Sequence, residues 1–543
     1  VGISWYMDGC SRLIQFKKPP VFSFVLVLTV YHKIQRKPTK FLPFTIKCDR
    51  LINENTSLKE IDKKYMETNR EADLYTPKEA LKPKGDMYAQ ITQIGDSIQE
   101  KLVEFRRDFH KHPETAWLEM RTSAIIAEEL TRLGYKVLTG KAVCREGSRL
   151  SVPGNDILEE HYRRVKAEAT IERKMDGGNE DGMPGYIDYL NGEMAEGYTG
   201  VVGILDCGEG PVAALRFDID ALPMEEDTSE KHRPAREGFA SANHGMMHAC
   251  GHDCHAAIGL GTARILASVR GQLHGTVKLL FQPGEEGVRG ANAMVEAGHL
   301  DGVDYFAGTH VAPDNSADDG DITPGTYGSL ATCKYDVYFR GKSAHAGGFP
   351  EMGRNAVLAA AHAVVGLAGI SRHSGGITRV NVGSIRGGTS SNVVADEAVI
   401  SMEVRGETTE VNAYMEERAI EICRAAAMME GCTCEMELMG HAPSQTSDIL
   451  FIERIAGMVR EHLPQYTVSS NPNVQNWGSE DIGFMMKRVQ EQGGQAVYMR
   501  TMTAMASPQH TVRFDVDETV LKKGAVIFAS IIYDLLGEGE IKR

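Results

Sequence analysis

The sequence predicts an α/β fold interrupted by a smaller α+β unit, on three observations. From Met87 onward, strand-like apolar runs alternate with helix-like stretches. Between about residues 329 and 440 the order of elements becomes βαββαβ, that of a ferredoxin-like unit. Beyond it the α/β texture resumes, so the larger domain is discontinuous in sequence.

Taken in order, Ile94, Ile98, Leu102 and Phe105 recur at helical spacing, and a second helix over 122–133 is ended by Gly134 in the C′ position. A charged, glycine-spotted section over 154–197 reads as an insertion packed on one edge, with no element assigned to it. Strands are predicted at 201–205, 211–217 and 277–281, with a helix over 255–269 between the last two. The inserted unit reads as strand 333–339, helix 355–367, strands 378–385 and 397–404, helix 411–429 and strand 433–439. Helices over 448–462 and 519–535 return the chain to the larger domain. The expected division is a leader over 1–86, a first catalytic part over 87–328, the inserted domain over 329–440 and a second catalytic part over 441–543.

The leader does not read like the rest. It begins with Val, and its apolar run over 21–31 falls short of the roughly 20 residues that span a bilayer as a helix. Tyr31, His32 and Lys33 follow where a secretory cleavage site would place small residues. The segment is expected to be poorly ordered or to lie upstream of the natural start, with Met66 or Met87 as initiator, and no membrane association is expected.

Acidic side chains number 74 against 59 Lys and Arg, a formal charge of −15, which argues against a surface that tracks phosphates and so against a nucleic-acid partner. The ten cysteines are scattered, some in apolar runs such as those around Cys333 and Cys423. That usage suits a reducing, cytoplasmic setting better than a disulfide framework.

The segment MHACGHDCH, Met247 to His255, carries three His, two Cys and one Asp in nine residues. Thiolate and imidazole are the donors that first-row divalent metals prefer, and a carboxylate can bridge ions or orient an imidazole. A structural zinc knuckle would need a second compact Cys/His pair, and the other close pair, Cys432 and Cys434, is separated by a single residue. Glu285 and Glu286 in FQPGEEG follow an apolar strand, where α/β proteins place reactive groups. Successive residues of an extended chain point apart, so one carboxylate can ligate a metal while the other handles protons; Glu286 is assigned the first role and Glu285 the second. His310 in GTHVAP and His510 in SPQHTVRFD are further donors, each an ordinary histidine if taken singly. Asp218 and Asp220, two apart in RFDIDALP, share a face from which one could orient a ligand imidazole, although turn formation explains Asp218 nearly as well.

RFDIDALP, MHACGHDCH, FQPGEEG, THVAP, KSAHAGGFPEMGRNA, GGTSSNVV and NWGSEDIGF, in this order and spacing, resemble the M20 metallopeptidase and amidohydrolase family, subfamily D, over about residues 87–536. The resemblance implies a zinc-peptidase-like catalytic domain with an inserted dimerisation (lid) domain. It implies two divalent ions, manganese first and zinc or cobalt as alternatives, held by Cys250 in the bridging position with His252, Glu286, His310 and His510. Glu285 would be the general base and Asp220 the supporting carboxylate. His345 would reach the neighbouring subunit's site to stabilise the oxyanion, and Asn392 and Arg405 would contact the substrate's carboxylate. A dimer follows, of two copies or of this chain with a homologous B-type subunit. The expected reaction is hydrolysis of an N-acyl or N-aroyl amino acid with an acidic amino-acid half, p-aminobenzoyl-glutamate first and indole-acetyl-aspartate as alternative. The context of His510 departs from the family's usual His-rich or Ser-Pro pattern, with Gln509 intervening, while its spacing to Phe514 and Asp515 is kept. A non-catalytic subunit would be favoured by loss of a ligand or of Glu285, and neither is lost; a nucleobase deaminase would need H-x-E followed by P-C-x-x-C, a signature the chain lacks.

Overall fold

The computed structural model describes residues 85–175, 185–316, 318–476 and 478–537. The predicted leader, apart from its last two residues, lies outside the described residues. Among the described residues, no helix is long and apolar enough to cross a membrane.

The larger layer is a seven-stranded mixed sheet. Its four central strands, Thr276–Gln282, Val212–Asp218, Tyr305–Pro313 and Gln495–Thr503, run parallel to one another, with antiparallel strands at both sides. A parallel sheet must be covered on both faces, which matches the near-continuous burial of Val212–Asp218. On one face pack three helices, Gly85–Lys111, His252–Val269 and Thr519–Leu536. Leu102, Ile258, Leu260 and Val526 are fully buried among them, each contributing about 1.5–3 kcal/mol by leaving water. Small residues permit this approach: a Cβ on Gly261 would stand 2.9 Å from both Leu102 and Ala525. The other face is covered in part by Ile482–Glu491 through Ile482, Met485 and Val489.

The section left unassigned from sequence contains the helix Asn155–Met175. It buries Leu158, Val165 and Ala169 against Met120 and Ala124 of the helix Met120–Arg132. Its charged residues occupy the solvent side, and the apolar stripe is narrow enough to hide in the overall polarity. Residues 176–184 of the predicted insertion lie outside the described residues.

The inserted unit has the predicted order of elements. Its antiparallel sheet runs Thr378–Gly387, Glu397–Gly406, Ala331–Arg340, Thr433–Ala442. Two helices, Ala356–Ala368 and Thr409–Met429, cover one face and bury Val337, Phe339, Ile400 and Met415. Both begin on a side-chain cap, Asn355 accepting from Val357 and Leu358 N–H, and Thr408 accepting from Val411 N–H. The strands extend up to three residues beyond the predicted ends, because backbone pairing continues past the apolar alternation.

Candidate active site

The parallel strands all point one way, so their C-terminal ends gather residues far apart in sequence. Gly251 makes the sharp entry into the helix His252–Val269, with φ +105°, and a Cβ there would collide with Val311. That turn separates Cys250 from His252, which lies in the first helical turn, three residues before the predicted start.

Asp220 organises the site. Its two oxygens accept the backbone N–H groups of Glu285 and Glu286 at 3.0 and 2.9 Å. His252 Nδ1 lies 2.8 Å from the Asp220 carbonyl oxygen and 3.3 Å from its Oδ1. A donating Nδ1–H leaves the lone pair on Nε2, which is buried and has no hydrogen-bond partner. His310 is set similarly: Nδ1 faces the Val311 carbonyl at 2.7 Å, and Nε2 stands 3.3 Å from Cys250 Sγ. His510 adopts φ +59°, a left-handed conformation uncommon outside glycine, and its N–H donates to Ala249 O at 2.8 Å, tying this loop to the Cys250 segment.

Overlapping donor groups made of predicted residues result, each with ligand atoms within 4.8 Å of one another, among them Cys250, His252 and His310; Cys250, Glu286 and His510; His252, Glu285 and Glu286. Cys250 belongs to two of them, an arrangement that suits a thiolate shared by two ions. Glu286 Oε1, like His252 Nε2, is buried without a hydrogen bond. Burial pushes the Glu286 carboxyl up to about 7, and burial with Glu480 and Glu286 nearby pushes Glu285 well above the usual range. Burial likewise raises the Cys250 thiol and lowers His310. Acidic groups crowded this way lack positive charge, and soft donors with free lone pairs face the same space; the residues fit divalent ions. A cavity of about 460 Å³ opens on the cluster.

Arg405 also lines that cavity, whereas His345 and Asn392 do not. His345 is exposed on the short strand Ala344–His345, and its Nδ1 accepts N–H groups of Gly347 and Gly348 at 3.2 and 3.0 Å, which leaves Nε2–H as a free donor. Asn392 is exposed as well, its side-chain oxygen accepting from Ser390 at 2.7 Å.

Two neighbouring groups of the right chemistry, His255 and Asp218, have both nitrogens or both oxygens engaged. His255 Nε2 accepts Val311 N–H at 2.9 Å and its Nδ1 donates to Asp218, so it buttresses the site and holds no lone pair for a metal. Asp218 is no simple turn residue: Arg216 also binds it, at 2.7 Å, and holds its carboxyl far below the ordinary value against the effect of burial. Cys254 is fully buried, as expected of a small apolar side chain. His248 is buried with neither ring nitrogen hydrogen-bonded, and burial lowers it to about 4.

Sequence reasoning missed two buried networks beneath the site. Arg216 joins Asp218 to Glu480 and Asp481, at 2.9 and 3.2 Å for the latter pair, and Asp481 accepts Gln282 Nε2 at 2.8 Å. Arg106 joins Asp253 to Asp515 at 2.8 and 2.9 Å, linking the helix that carries His252 to the segment after His510. Glu480 and Asp481 were visible in NWGSEDIGF, but a charged pair in a glycine-rich stretch gives no sign of burial.

A split α/β scaffold carrying a ferredoxin-like insertion, with this donor set at its strand ends, defines an amide-cleaving hydrolase. The profile of Peptidase family M20/M25/M40 matches residues 214–534, and the chain belongs to that family. It is 40% identical over 439 residues to a p-aminobenzoyl-glutamate hydrolase subunit of Escherichia coli (strain K12), covering 79% of this chain and 95% of that protein. Indole-3-acetyl-aspartic acid hydrolase of Enterobacter agglomerans is 42% identical over 422 residues, 78% of this chain and 92% of its own length. The crystal structure of an aminobenzoyl-glutamate utilization protein from Klebsiella pneumoniae superimposes with a TM-score of 0.65 at 35% identity, covering 81% of this chain and 97% of that one.

Proposed function

We propose that this chain hydrolyses the amide bond of an N-acyl or N-aroyl amino acid with an acidic amino-acid half, p-aminobenzoyl-glutamate being the first substrate to test and indole-acetyl-aspartate the second. The observation that carries the reading is the convergence of five soft and acidic donors beside the buried Glu285 carboxyl, in a chain whose relatives carry those two substrate names.

Cys250, His252, Glu286, His310 and His510 would hold two divalent ions, manganese first. Such ions, when bound, lower the pKa of water and polarise an amide carbonyl. Glu285 faces the same space with a carboxyl that burial and neighbouring acids leave short of positive charge. It would take a proton from the attacking water at a carboxylate oxygen and return it to the leaving nitrogen. Asp220 holds the Glu285 and Glu286 backbones and the His252 ring in place, so these groups need no rearrangement. Arg405 lines the cavity and would meet a substrate carboxylate.

His345 and Asn392 would act on the site of a neighbouring subunit, which their distance from this chain's own cavity and the free Nε2–H of His345 support. The assembly would be a homodimer or a pair with a homologous B-type subunit. The catalytic domain would span 87–328 and 441–543 around a lid over 329–440, working in the cytoplasm.

Free glutamate released from p-aminobenzoyl-glutamate by the purified chain, measured after chelation and re-addition of manganese or zinc, tests the reading. Metal-restored release supports a self-sufficient amidohydrolase. Absence of release from either substrate, with two ions bound per chain, would overturn it for the chain alone.

A further inference from the structure

The cavity carries cationic groups from two different sheets. Arg405 and Lys334 come from the inserted sheet, on the strands Glu397–Gly406 and Ala331–Arg340. Arg500 comes from the main sheet, on Gln495–Thr503, and its register partner on the neighbouring parallel strand is His310. Register partners on adjacent strands project to the same face, so the Arg500 guanidinium and the His310 imidazole leave the sheet side by side.

Their electrostatic situations differ. Arg405 is already paired, with Glu403 Oε2 at 3.0 Å from its Nη2. Arg500 is half-buried and donates to one carbonyl, Gln475 O, at 3.3 Å. Among the described residues no carboxylate lies within ion-pair distance of it, and burial lowers its pKa. Glu480, which lines the same cavity, has both oxygens engaged, by Arg216 and by the Tyr498 hydroxyl at 2.6 Å. A guanidinium in a cavity wall with four donor positions free of acid partners is built for an anion.

We infer that Arg500 binds the second carboxylate of a dicarboxylic amino-acid half, opposite the cationic pair Lys334 and Arg405 on the inserted sheet, which receives the first. The inference rests on the proposed hydrolase reading and specifies how its site selects glutamate or aspartate conjugates over neutral ones. Two cationic positions on separate sheets read two anionic groups and the distance between them. A conjugate with a neutral side chain leaves the Arg500 guanidinium desolvated without a partner, and is rejected for that reason.

The test compares the full-length chain with Arg500→Gln and Arg500→Lys on p-aminobenzoyl-glutamate and on p-aminobenzoyl-glutamine, which keeps the α-carboxylate but has a neutral side chain, with glutarate binding followed by calorimetry. The expected result for Arg500→Gln is a fall of about 10- to 100-fold in kcat/KM for the glutamate conjugate, carried mainly by KM, with the glutamine conjugate turned over faster than by the parent because the unpaired guanidinium is gone. Arg500→Lys recovers part of the loss, and glutarate affinity falls in parallel. Equal losses on both conjugates would overturn the inference, since a residue that merely supports the sheet does not read the side chain; so would unchanged glutamate turnover. Glutarate binding that depends on Arg500 in a chain that hydrolyses neither conjugate would uphold the subsite while refuting the proposed reaction.

Discussion

Replacing Asp220 with Ala should damage the site more than any other single truncation that leaves every proposed ligand in place. The carboxylate accepts two buried backbone N–H groups, from Glu285 and Glu286, and flanks His252 Nδ1. Each N–H left buried without an acceptor costs about 1–3 kcal/mol, so the Ala variant should lose about 2–6 kcal/mol. Asp220→Asn keeps one carbonyl oxygen and should lose about half as much, giving the order wild type, Asn, Ala. The His252 ring retains the Asp220 backbone carbonyl at 2.8 Å, so its tautomer survives and metal affinity should weaken by about 10- to 100-fold without vanishing. Thermal unfolding with and without added manganese, together with metal analysis of the purified variants, reads both quantities. An Asp220→Ala variant as stable as the parent, with two ions retained, would refute the role given to this carboxylate.

Glu285→Gln should bind metal normally and release no glutamate from the conjugate; substantial residual turnover would remove Glu285 as the base. His345→Ala should lower kcat by two or more orders of magnitude with metal content intact, and an unaffected enzyme would end the cross-subunit proposal. Glu226 is buried, which by itself would raise its pKa, yet hydrogen bonds from His110 and His232 hold it at about 2 against an ordinary value of 4.5. A carboxyl depressed on folding stabilises above its unfolded pKa, so its contribution should be complete above about pH 4.5 and disappear as the pH falls toward 2. Glu226→Gln should therefore flatten the acid limb of an unfolding curve between pH 4.5 and 2 and lower stability at neutral pH. An unchanged acid limb would contradict the assignment.

Where a signal was local, the sequence carried it well. Helical spacing at Ile94, Ile98, Leu102 and Phe105 marked the first long helix, and the βαββαβ order of apolar runs marked the inserted unit. The helix Asn155–Met175 escaped because only one narrow stripe of it is buried, so its average polarity resembled a loop. The start of His252–Val269 was placed late because a turn centred on a glycine with positive φ leaves no periodic trace in the residues before it. All five proposed ligands do converge, but two other chemically suited groups, His255 and Asp218, turn out to be occupied by one another and by Val311 and Arg216.

The order of residues along the chain therefore dictates the inventory: which donors exist, that Cys250 and His252 sit in one short cluster, that two glutamates follow an apolar strand, and that a βαββαβ unit divides the larger domain. These follow from nearest neighbours in the chain, through backbone hydrogen bonding and the period of apolar residues. Folding in three dimensions settles which lone pairs are left free, that Asp220 supports two distant segments at once, and that Arg500 stands beside His310 across 190 positions of sequence. Those outcomes depend on which buried polar groups find each other when the strands register, and competition among partners is resolved by packing between distant segments rather than by any local pattern.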